Sequence, residues 1–71
     1  MKLSARNCLK GKVKKVIEGA VNSEIILELP GGYCLTSIIT KEAVKDLGLK
    51  EGKDAYAVIK ASNIMIGVDH Q

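Results

Sequence analysis

Ser4 and Arg6 stand two residues apart in "LSARN", Leu3 to Asn7, just before the first strand-like run of the chain. Residues two apart in an extended segment share a face, so a hydroxyl and a guanidinium leave on the same side. Arginine stays charged at physiological pH and offers two parallel hydrogen bonds to neighbouring oxygens. Late in the chain "KASN", Lys60 to Asn63, supplies an ammonium, a hydroxyl and an amide where another strand-like run ends. A compact oxyanion needs this chemistry, namely positive charge and several donors. Each set alone has a plainer reading, because Ser and Lys at strand ends usually face water and Arg6 can pair with a glutamate. Two such sets near opposite ends of one small chain invite a shared site, assembled across subunits.

Other chemistry is thinly supplied. The single histidine, His70, lies beside the C-terminus, a poor platform for a preorganised catalytic group or for zinc. "LPGG" is followed by Tyr33 rather than Lys-Ser and joins two strands, so it is no phosphate-binding loop of the nucleotide-hydrolase kind. An enzyme is not expected, nor a bound metal cation. Cys8 and Cys34 read as buried or half-buried small hydrophobes rather than a disulfide pair, since no secretory leader is seen and a reducing cytosol is expected. No apolar run is long enough to span a membrane. The alternative function is a small nucleic-acid module. Lys10, Lys12 and Lys14 could meet phosphates, but only Tyr33 and Tyr56 are available to stack on bases.

The elements that must position these groups follow from the pattern. Seventy-one residues with net charge +3 and 46% apolar content make one small domain. Without Phe or Trp its core is thin, and oligomerisation is the usual remedy when disulfides and metals are lacking. Residues 8–18 alternate Leu9, Gly11 and Val13 against Lys10, Lys12 and Lys14, then slip phase near Lys15, which predicts a strand with a bulge. "EGAVNS" is a loop with Gly19 as its special backbone position. "SEIILEL" and "YCLTSIIT" are strands joined by the turn "PGG". Thr40 caps a short helix that Gly48 ends. "DAYAVIK" and "IMIGV" complete the set as strands four and five. Three strands, one short helix and two strands is the order of an all-β, OB-like five-stranded antiparallel barrel, its helix between strands 3 and 4.

"SARN" at 4–7, the Gly-rich turn, "TSIIT" running into the helix, "LGLKEG" at 47–52 and "VIKAS" at 58–62 together resemble the molbindins. These are the stand-alone Mop-type proteins of the TOBE domain family. The likeness runs from about Leu3 to Ile66, leaving 67–71 as a tail without counterpart. It implies a cytoplasmic protein that binds molybdate, and usually tungstate, as the free oxyanion with no organic cofactor. It further implies a homo-oligomer, a hexamer built as a trimer of dimers, with anions at subunit interfaces. One implied site takes Ser4 and Arg6 from one chain and Lys60, Ala61 and Ser62 from its neighbour, with Thr40 as a further contributor. A second implied site is built from backbone N–H groups around Gly19, Ala20 and Val21. The expected role is storage or homeostasis of the oxyanion.

Overall fold

Four antiparallel strands, the third, second, first and fourth of the chain in that spatial order, form one sheet, curled into a half-barrel with a short helix at one end. The computed structural model describes residues 4–70. The strands are β1 (Asn7–Glu18), β2 (Asn22–Glu28), β3 (Cys34–Thr40) and β4 (Asp54–Ile59); the helix, α1, spans Lys41–Asp46. A single 3-10 turn, Ala61–Asn63, follows β4. No helix among the described residues is long and apolar enough to cross a membrane.

Alternation sets which face of the sheet is buried. Val13, Ile25 and Leu27 point inward with Val44 of α1 as the core, and Val16, Leu29, Ile39, Leu49, Ala55 and Ala57 pack around it. The phase slip in β1 is a bulge. Val13 pairs with Leu27, but Lys15 pairs with Ile26, leaving Lys14 without a partner. The extra residue turns Val16 inward, where alternation alone would have placed Lys15. Gly11 is needed two residues earlier, because a Cβ there would run into the Glu28 carbonyl of β2.

"PGG" turns β2 into β3 as expected. Gly31 and Gly32 adopt φ of 92° and 87°, and Gly32 N–H donates to the Leu29 carbonyl at 3.1 Å. Thr40 caps α1, its Oγ1 accepting from Ala43 N–H at 3.0 Å. At the other end Lys53 Nζ donates to the carbonyls of Leu47 and Gly48, at 2.6 and 3.2 Å, satisfying groups the helix leaves open.

Three expectations are corrected. The fifth strand is not formed among the described residues: Ile64–Val68 has no regular structure, and Met65, Ile66 and Val68 are 93%, 87% and 90% exposed. Its residues suit a strand, but β character is expressed only against a partner edge and a face to cover. The segment meets neither within its own chain. Cys8 and Cys34 are both exposed and free, because each falls on the outward side of its strand, opposite Val58 and Glu28 respectively. Gly19 has no positive φ; it is required by close approach, since a Cβ there would strike the Asn22 carbonyl.

Candidate functional site

Register between β1 and β4 decides where the anion-seeking residues lie. Asn7 pairs with Ile59, the last rung of that ladder. Arg6 therefore precedes, and Lys60 follows, the same rung. Ser4, Arg6, Lys60, Ala61 and Ser62 of one chain are thus gathered at one end of the sheet. All but the connecting Ala5 are exposed there.

The turn after β4 presents donors. Asn63 N–H is taken by the Lys60 carbonyl at 2.9 Å and Ile64 N–H by the Ala61 carbonyl at 3.3 Å. The first two N–H groups of such a turn, those of Ala61 and Ser62, have no backbone acceptor among the described residues. With the Ser62 hydroxyl, the Ser4 hydroxyl, the Lys60 ammonium and the Arg6 guanidinium, this end is rich in donors. Arg6 and Lys60 form no ion pair among the described residues.

That sets them apart from the basic outer face of β1. Lys12 Nζ lies 2.7 Å from Asp54 and Lys10 Nζ 3.9 Å from it, while Lys14 Nζ is 3.7 Å from Glu28. The hydrogen bond from Lys12, and then its charge, hold the Asp54 carboxyl below its ordinary range against an opposing desolvation, with Lys10 adding a lesser lowering. These lysines are largely matched by local acids, whereas the charges at the Arg6 end are unspent.

Thr40 and the Gly19–Val21 loop lie elsewhere. Asn22 pairs with Thr40, and Lys41 N–H donates to the Val21 carbonyl at 2.9 Å, so Thr40 adjoins that loop at the opposite end of the sheet. The twelve-residue β1 runs from one end to the other, a path of about 40 Å along the strand. Within one chain Thr40 cannot reach an anion held by Arg6. The loop residues Gly19, Ala20 and Val21 are exposed, as a backbone anion site requires, but Gly19 lacks the left-handed conformation of a backbone nest.

One residue was not singled out from the sequence. Asn7 Nδ2 donates to the Ile59 carbonyl at 3.3 Å, joining residues 52 apart in the chain. The signal was there: Asn7 is a polar side chain at an inward position, in phase with Leu9, Gly11 and Val13. Among the described residues no group of three or more His, Cys, Asp and Glu side chains is placed to hold a metal ion.

The TOBE domain family matches residues 3–66. A probable molybdenum-pterin-binding protein of Haemophilus influenzae is 49% identical over 69 residues, spanning 97% of this chain and all of the relative. The MopII structure of Clostridium pasteurianum, in an apo form, superposes with a TM-score of 0.89 at 46% identity, covering 94% of this chain and all of that one. A structure of the cytoplasmic molybdate-binding protein ModG with molybdate bound gives a TM-score of 0.94 at 58% identity, covering 97% of this chain and 49% of ModG.

Proposed function

From the premise that this chain belongs to the TOBE domain family, among its Mop-type molbindins, we propose that it binds molybdate, and tungstate with it, as the free oxyanion. The observation that carries this reading is the convergence of Arg6 and Lys60 on one end of the sheet, both without a carboxylate partner among the described residues. A dianion held there meets two positive charges. The hydroxyls of Ser4 and Ser62 and the N–H groups of Ala61 and Ser62 surround it with donors. Charge-assisted bonds of this kind are about twice as strong as neutral ones.

The site is completed by a second copy. A two-fold contact sets the same patch of each subunit against its counterpart. Ser4 and Arg6 of one chain then face Lys60, Ala61 and Ser62 of the other, and two equal sites form together. The opposite end, with Thr40 and the Gly19–Val21 loop, forms a second kind of interface and a second kind of anion site. Two different interfaces on one chain are what a hexamer built as a trimer of dimers requires.

Apolar surface supports this assembly. The inner face between the free edges of β3 and β4 is an open trough lined by Leu35, Ile39, Leu49, Ala55, Ala57 and Ile59. The segment Ile64–Val68 is apolar and unpaired. Its strand-like residues fill the trough of a neighbouring copy, completing the barrel that a single chain leaves half built. In the cytoplasm such an assembly stores and buffers the oxyanion. Bound anion stabilises the oligomer in turn, by mass action.

Calorimetric titration with molybdate tests the reading, with sulfate and a short single-stranded oligonucleotide as controls. Saturable heat with molybdate and none with the oligonucleotide is expected. Silence with molybdate overturns the proposal.

A further inference from the structure

Asn7 is not one of the anion-seeking residues, yet its placement bears directly on the end of the sheet that carries them. The inward row of β1 is Leu9, Gly11 and Val13, facing Ala57 and Ala55 across the β1–β4 ladder. Asn7 continues that row and is half-buried. A polar amide in that position needs a hydrogen-bond partner. It finds one in the Ile59 carbonyl at 3.3 Å, the residue directly before Lys60. Among the described residues two side-chain hydrogen bonds join β1 to β4, and this is the one at the Arg6 and Lys60 end, Lys12 to Asp54 lying at the other end of the ladder.

We propose that Asn7 is a positioning residue for oxyanion binding: its amide ties the first strand to the carbonyl of Ile59 and so fixes the spacing between Arg6 and Lys60. The inference rests on the oxyanion reading of this end. Beyond the last rung both chains leave regular structure, one toward Ser4 and the other into the Ala61–Asn63 turn. Backbone pairing no longer sets their separation there. A side-chain tie at that rung holds Arg6 and Lys60, which each chain lends to two different sites, at one offset, so that each meets its counterpart on a second copy at the distance a tetrahedral ion needs without reordering.

The test is made on the full chain in two arms. In the first, hydrogen exchange on ligand-free protein compares wild type with Asn7→Ala. Exchange at the Asn63 and Ile64 amides is expected to quicken about five- to tenfold, as loss of one net hydrogen bond predicts, while amides at the β1–β2 centre are unchanged. Unchanged exchange at Asn63 and Ile64 overturns the proposal whatever the ligand does. In the second, molybdate titrations of wild type, N7A, K60A and the double variant form a cycle. A positioning role makes N7A cost about five- to tenfold in affinity alone and much less when Lys60 is already gone. Equal cost in both backgrounds assigns Asn7 a general structural role and overturns the proposal. If wild type binds no molybdate, the oxyanion reading falls, and with it the binding role of Asn7. The exchange arm then shows separately whether the tie itself exists.

Discussion

Arg6 and Lys60 flank a single rung of the sheet, the pair Asn7–Ile59, so two cationic side chains far apart in the chain leave from one end of the half-barrel. In the proposed site, Arg6→Ala and Lys60→Ala each remove one charge-assisted partner of the anion. A hydrogen bond to a charged group is worth about 1.5–3 kcal/mol, which corresponds to roughly ten- to hundredfold in affinity. Both variants are expected to keep the wild-type far-ultraviolet dichroism and melting temperature in the absence of anion, since both side chains are exposed. Undiminished molybdate binding in the pair of variants would remove this end as the site.

The proposed assembly makes the apolar segment Ile64–Val68 its test. Met65 and Ile66 are 93% and 87% exposed in the single chain, and burying an aliphatic side chain of this size contributes about 1.5–3 kcal/mol. Replacing both by Asp places charges where the trough of a second copy is apolar. Sedimentation equilibrium is expected to show smaller species than the wild type, with molybdate affinity falling alongside. A variant that sediments like wild type would mean the tail covers nothing.

Ser23 poses a different question. It is 2% exposed, and its hydroxyl has no hydrogen-bond partner among the described residues. A buried donor left without a partner costs about 1–3 kcal/mol. Ser23→Ala is therefore expected to raise the melting temperature by several degrees at constant anion and protein concentration. A lower melting temperature would show that the hydroxyl is satisfied in the assembled protein.

Thr40 has a structural duty that any binding role must be separated from. Its Oγ1 accepts from Ala43 N–H at the start of α1. Thr40→Ala should cost about 1 kcal/mol through the lost cap, and Thr40→Asn should recover most of it. Urea unfolding without anion reads the cap. Molybdate titration of Thr40→Asn then reads the anion: affinity equal to wild type would confine Thr40 to capping.

Much of this arrangement was legible in local chemistry. The three hairpin-forming strands, the Thr40 cap and the bulge near Lys15 are each signalled by residues adjacent in the chain. So are the turn glycines at 31 and 32. What escaped is set by distant pairing. The fifth strand reads well in "IMIGV", but strand formation needs an edge, and the edges of β3 and β4 are not offered to it by its own chain. Cys8 and Cys34 were misplaced because burial in a strand depends on phase, and both fall outward. At the site the residue types were plain, while their grouping was not. That Thr40 stands at the far end of β1 from Arg6, and that Arg6 stands beside Lys60, follows from register alone.

Lys14 gains a meaning from the bulge that its charge does not give it. Removing that one residue would leave Val13 inward, Lys15 outward and Val16 inward, so every core side chain would keep its place. The strand would lose its bend instead. Since β1 runs from the Arg6 end to the Gly19 loop, its bend sets the angle between the two ends of the subunit. One uncounted residue thus works as a mitre joint: it sets the angle at which the Arg6 end and the Gly19 loop face away from each other, while lying at neither.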